Sequence, residues 1–175
     1  MADEPGNGGP AAQVPKITVL YVDDEPGFLE LTLIFLGRDG DFVIDTALSA
    51  KLALGMLNER SYDVIVADYL MPGMDGIEFL KKLRASGCTI PFIIFTGKGR
   101  EAVAIEALNS GADFYLQKGG DPKSQFAELG NMIRQAARKI TVPPGNYRME
   151  EASEGSLPHG ASCDAADLRA PSTQR

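Results

Sequence analysis

The chain has 175 residues, 44% of them hydrophobic, with 17 Lys and Arg against 24 Asp and Glu for a formal charge of -7. That length supports one domain with a proper core, and an acidic balance without a basic stripe excludes a general nucleic-acid binder and argues against an acidic partner. No run approaches the roughly 18 apolar residues of a membrane span, and no basic flank precedes an apolar segment, so a soluble, cytoplasmic protein is expected.

In chain order, residues 1–15 ("MADEPGNGGPAAQVP") are rich in Gly, Pro and Ala without periodicity and predict a disordered tail. Residues 16–140 form the domain. A first strand, "ITVLYV" (17–22), ends in the adjacent acids Asp23 and Asp24. Pro26 fits the first turn of a helix, with Glu25 as a helix-start residue and Phe28, Leu31, Leu33, Ile34 and Leu36 turned toward a core. A second strand, "FVIDTA" (42–47), precedes a helix that Ser49 can cap. The third, "YDVIVA" (62–67), ends at Asp68. The next helix has Asp75 as N-cap and an apolar stripe of Ile77, Leu80 and Leu83.

A fourth strand, "PFIIF" (91–95), is followed by Thr96, and a fifth, "DFYLQ" (113–117), by Lys118. Phe126, Leu129, Ile133, Ala136 and Ile140 give the last helix its spacings of three and four. Residues 141–175 predict a second disordered tail. They are too short and too rich in Gly, Pro and Ser for a DNA-binding helix-turn-helix domain, and His159 lacks the helix that a phosphotransfer histidine would need. Cys88 and Cys163 show neither metal-ligand spacing nor the density of a disulfide scaffold, which predicts two free thiols.

Val64 to Ala67 and Phe92 to Phe95 are apolar at successive positions, as central strands covered on both faces must be. Strand–helix repeats with right-handed crossovers build an open, doubly wound α/β sheet of five parallel strands. Ligands of such sheets sit at the carboxyl ends of strands, near the point where strand order reverses. Asp23, Asp24, Asp68, Thr96 and Lys118 all fall on that edge.

Three converging carboxylates call for a cation, and hard oxygen ligands suit Mg²⁺, which needs only a few of them. A lysine and a threonine hydroxyl suit a tetrahedral anion sharing the site. A carboxylate beside Mg²⁺ and Lys⁺ can accept a phosphoryl group as an acyl phosphate, and Asp68, in mid-sheet, is placed for that.

The stretches "VLYVDDEPG", "DVIVADYLMPGMDGIEFLKKLR", "PFIIFTGKG" and "GADFYLQKGG" together resemble the receiver domain of two-component response regulators, over Lys16 to about Ile140. The acidic pair, phosphoacceptor, hydroxyl residue and lysine follow in order, at separations of 44, 28 and 22 residues starting from Asp24. The resemblance implies a flavodoxin-like strand order of 2-1-3-4-5. It further implies that Asp23, Asp24, Asp68 and the Leu70 carbonyl hold Mg²⁺, that Asp68 takes phosphate from a sensor histidine kinase, and that Thr96 and Lys118 contact the phosphoryl group.

By the same resemblance, Thr96 and Tyr115 form the switch that repacks a face for a downstream protein, with a homodimer on phosphorylation as a further expectation. Such a chain is a signalling phosphoacceptor in a phosphorelay, not an enzyme, and resembles stand-alone, chemotaxis-regulator-like receivers of an archaeal type. Two departures from the family pattern matter. Glycines 119 and 120 stand where the family has proline, which predicts a trans Lys118–Gly119 bond and a more mobile loop. Leu70, two residues past the phosphoacceptor, cannot hydrogen-bond an attacking water, which predicts slow self-dephosphorylation.

A receiver fold used only for docking or dimerisation would not need the intact acid pair, Asp68, Thr96 and Lys118. A Mg²⁺-dependent phosphohydrolase with an aspartyl nucleophile should carry Asp-x-Asp after its first strand, whereas these acids are adjacent. A nucleotide-binding protein would need a Gly-rich loop after that strand.

Overall fold

Within residues 15–97 and 101–141, which this computed structural model describes apart from the side chains of Asp39, Ile140 and Thr141, strands alternate with helices throughout. The order is β1 (Ile17–Val22), α1 (Pro26–Leu36), a 3₁₀ turn (Gly37–Asp39), β2 (Phe42–Ala47), α2 (Ala50–Glu59), β3 (Val64–Ala67) and α3 (Gly76–Ala85). It continues with β4 (Phe92–Thr96), α4 (Glu101–Asn109), β5 (Phe114–Gln117) and α5 (Pro122–Thr141). The strands form one parallel sheet in the order 2-1-3-4-5, as expected.

Alternate residues of a strand face opposite sides, and the core divides accordingly. Leu20, Val22, Ile65, Ala67, Phe92 and Ile94 face α2, α3 and α4, packing with Ala53, Leu57, Ile77, Leu80, Leu83 and Val103. Val19, Tyr21, Val64, Val66, Ile93 and Phe95 face α1 and α5, where Leu29, Leu36, Phe126, Leu129 and Ile133 close the second layer. All four residues of β3 are fully buried, which is why their sequence shows no polar alternation. Because β1 lies between β2 and β3, the crossover direction changes there and the carboxyl ends of β1 and β3 open a crevice.

Several local expectations hold. Pro26 is the first residue of α1 with Glu25 before it, the Ser49 hydroxyl accepts from the Leu52 amide, and Asp75 caps α3. The phase of α1 differs from expectation. Leu29, Thr32 and Leu36 are buried, whereas Leu33 and Ile34 are 46% and 50% exposed. Apolar residues run around most of this helix, so periodicity alone does not choose its inner face; packing against the sheet and α5 does. The third and fifth strands begin one or two residues later than their apolar runs, and Thr96 closes β4 instead of following it.

Cys88 is disulfide-bonded in the structure, which corrects the expectation of a free thiol there. Spacing along a chain carries no information about which thiols a fold brings together. Cys163, His159, the two predicted tails beyond residues 15 and 141, and the side chain of Ile140 lie outside the described residues.

Candidate functional site

The carboxyl ends of β1, β3, β4 and β5 bring five of the expected side chains to one place. Asp23 follows β1 and is fully buried; Asp24 beside it is partly exposed. Asp68 follows β3 with 5% of its surface exposed, Thr96 ends β4 fully buried, and Lys118 follows β5 at 7%. One carboxylate oxygen each from Asp23, Asp24 and Asp68 lies within 4.8 Å of the others.

Lys118 ties the group together. Its Nζ donates to Asp23 Oδ2 at 2.6 Å and stands 3.5 Å from Asp68 Oδ1. Two rings complete its surroundings, Phe28 at 4.0 Å and Phe95 at 5.7 Å from the ammonium to the ring centroids. Asp23 Oδ1 accepts from the Glu25 amide at 3.0 Å, and its other oxygen faces the Tyr21 hydroxyl at 3.4 Å. Burial, followed by the Asp23 charge, drives the Tyr21 hydroxyl far above its ordinary range, so it stays protonated as a donor.

The Tyr69 amide and the Thr96 hydroxyl hydrogen-bond the Asp68 carboxylate, yet burial outweighs these bonds and the Lys118 charge and raises its pKa. Asp68 Oδ1 is buried without a hydrogen-bond partner. A buried acceptor in that condition, facing two further carboxylates, fits a divalent cation with oxygen ligands. Asp23, Asp24 and Asp68 are the side chains that would hold it.

A close approach fixes the Asp68 backbone. The Gly76 amide, at the start of α3, donates to Tyr69 O at 2.9 Å, and a Cβ at Gly76 would overlap the Asp68 carbonyl oxygen. The Asp75–Glu78 capping box holds the helix start in that position: Asp75 Oδ1 accepts from the Ile77 and Glu78 amides, both at 2.8 Å, while Glu78 accepts from the Asp75 amide at 3.1 Å. Gly76→Ala is therefore expected to lower stability by about 2 kcal/mol and to weaken Mg²⁺ binding by displacing Asp68. Urea unfolding and Mg²⁺ titration check this, and wild-type values in both would contradict it.

Leu70, expected to contribute its backbone carbonyl, and Tyr115, the expected switch ring, are the remaining two residues. The Leu70 side chain is 48% exposed on the rim. Tyr115 is partly buried against the layer of Leu20 and Ile65, pairs with Ile94 across the sheet, and buries its hydroxyl without a partner. Sequence reasoning missed Tyr21 and Phe28 as neighbours of the charged groups. It also missed the close contact that requires Gly76. Tyr21 lies two residues before Asp23 on β1, and Phe28 reaches the lysine from α1, a contact that no sequence spacing shows.

Comparison with known proteins agrees with this geometry. A family model described as response regulator receiver domain matches residues 19–129. The response regulator Rre1 of Synechocystis sp. is 36% identical over 137 residues, covering 77% of this chain and 59% of the relative. The receiver domain of Francisella response regulator 1452 aligns with a TM-score of 0.65 at 31% identity, over 71% of this chain and 98% of that one. The chemotaxis protein CheY4 of Vibrio cholerae aligns with a TM-score of 0.61 at 26% identity, over 69% and 98%. The chain spans between about half and two thirds of the length of the curated relatives it matches. Among the described residues, no helix is long and apolar enough to cross a membrane.

Proposed function

The chain belongs to the response regulator receiver domains of two-component systems, and from that premise we propose that it accepts a phosphoryl group from a sensor histidine kinase onto Asp68. The observation that carries this reading is the convergence of Asp23, Asp24 and Asp68 around a buried Asp68 oxygen that has no hydrogen-bond partner, with Lys118 alongside. Mg²⁺, when seated on Asp23, Asp24, Asp68 and the Leu70 carbonyl, supplies positive charge against the equatorial phosphoryl oxygens.

The chain's own residues do the rest. An Asp68 carboxylate oxygen forms the new bond to phosphorus as the donor's P–N bond breaks, and the leaving nitrogen keeps the electron pair and takes a proton from solvent. Lys118 stands where it can neutralise a phosphoryl oxygen, and the Thr96 hydroxyl can donate to another. The chain acts on itself, as a phosphoacceptor and not as an enzyme turning over a separate substrate.

Phosphoramidate, whose P–N bond resembles that of phosphohistidine, tests the reading. Mg²⁺-dependent labelling that hydroxylamine removes supports an acyl phosphate, and labelling resistant to hydroxylamine contradicts it. Once formed, the phosphoryl group should decay slowly, because the Leu70 side chain on the rim offers an incoming water no hydrogen bond. Leu70→Asn is expected to speed decay several-fold, followed by loss of label after the donor is removed; equal rates would count against a role for this position.

The output reading rests on the face of α4, β5 and α5. Ile105 and Leu108 of α4 are 61% and 52% exposed, beside the strand that carries Tyr115. Attraction of the Thr96 hydroxyl to a phosphorylated Asp68 would alter the packing around the Tyr115 ring, whose unpartnered hydroxyl gives it little to hold its present position. A downstream protein would read that change.

A further inference from the structure

Lys118 has to be held where it meets both Asp23 and Asp68, yet the loop that carries it is built from two glycines. Gly119 and Gly120 have φ of +156° and +85°, values closed to proline, whose ring fixes φ near -65°. The Lys118–Gly119 peptide is trans. A proline ring at residue 119 cannot therefore supply the rigidity of this loop.

The structure offers another restraint. Gln125, in the first part of α5, is 9% exposed and turns its amide back toward the loop. Its Nε2 donates to Gln117 O and Gly119 O, each at 3.2 Å, the two carbonyls on either side of Lys118 in the chain. From the sheet side, the Lys118 amide donates to Thr96 O at 2.7 Å. The base of Gln125 is itself fixed. Its backbone N–H donates to Asp121 O at 3.0 Å, the Asp121 carboxylate accepts from the Ser124 amide and hydroxyl, and the next residue, Phe126, stacks on Phe35 at 5.2 Å.

We infer that Gln125 is a positioning residue: its amide clamps the carbonyls flanking Lys118 and so holds the ammonium in register with Asp23 and Asp68. The functional part of this inference rests on Asp68 being the phosphoacceptor; the clamp itself does not. Gln125→Glu replaces the two amide donor hydrogens with an acceptor that repels both carbonyls, and Gln125→Leu removes the polar group at similar size.

Two measurements on the full chain test it. In hydrogen exchange, both variants should accelerate exchange at Lys118 and Gly119 at least tenfold while the amides of β1 and β3 keep their protection. Unchanged exchange at Lys118 and Gly119 would overturn the clamp, whatever the phosphorylation chemistry. In phosphoramidate labelling with Mg²⁺, the initial rate should fall on the order of tenfold while the Mg²⁺ affinity stays within about twofold.

In a Lys118→Met background, Gln125→Glu should cause no additional loss of rate, because both changes act through the same ammonium. A full additional loss there would overturn the positioning role. An unmodified chain that takes no label would count against Asp68 as acceptor, and the exchange result would still decide the clamp.

Discussion

Lys118→Met will destabilise the metal-free protein by about 3 kcal/mol at neutral pH. The expectation follows from the depth of the pair. Lys118 and Asp23 expose 4% and 0% of their side chains and meet at 2.6 Å, so removing the ammonium leaves a buried carboxylate without its counter-charge. Asp68 and Asp24 then repel that carboxylate with nothing between them. Because a divalent cation can replace the missing charge, Mg²⁺ should raise the melting temperature of this variant more than that of the wild type. Thermal unfolding with chelator and with Mg²⁺ measures both effects. Equal stabilisation of the two proteins by Mg²⁺ would show that lysine and metal do not serve the same carboxylates.

Asp68→Asn should move function and stability in opposite directions. Phosphoryl uptake should vanish, since the amide offers no nucleophilic carboxylate. The metal-free protein should melt at a higher temperature, because burial holds the Asp68 carboxyl above its ordinary range and Lys118 keeps its closer partner, Asp23. The sign follows from proton linkage. With a folded pKa above the unfolded one, the folded state holds more protons in the interval between them. The stability this group contributes is complete below the unfolded value and is lost as pH rises through the folded value. In chelator, wild-type stability should therefore fall with rising pH across that interval relative to Asp68→Asn. A variant that melts lower than wild type at neutral pH would contradict the account of Asp68 as a strained acid.

These two residues also show what could be read before the structure. The apolar runs of β3 and β4 lack alternation because both of their faces are buried, and that feature alone indicated a parallel sheet with Asp68 and Thr96 at its active edge. Asp23, Asp24, Asp68, Thr96 and Lys118 were legible because a strand end is a one-dimensional landmark: each residue sits at the boundary of an apolar run. The inner face of α1 was not legible, since Leu33 and Ile34 are as apolar as Leu29 and only packing chooses between them.

The contacts around Lys118 were hidden for a related reason. Phe28 reaches its ammonium from α1 and Gln125 reaches the carbonyls of its two neighbours from α5, and no spacing rule connects an aromatic ring or an amide to a lysine in another element. Glycines 119 and 120 predict a mobile loop, and nothing in their spacing announces the two hydrogen bonds from Gln125 to the carbonyls of Gln117 and Gly119. The contact of Gly76 with the Asp68 carbonyl likewise belongs to the tertiary packing of α3 on the end of β3.

The most direct test of the central claim is intact-mass measurement of the full chain after incubation with acetyl phosphate, with Mg²⁺ or with chelator, for the wild type and Asp68→Asn. The account predicts a single added phosphoryl group on the wild type, present with Mg²⁺, absent with chelator and absent in Asp68→Asn. No addition to the wild type in Mg²⁺, or an addition that persists in Asp68→Asn, would contradict it.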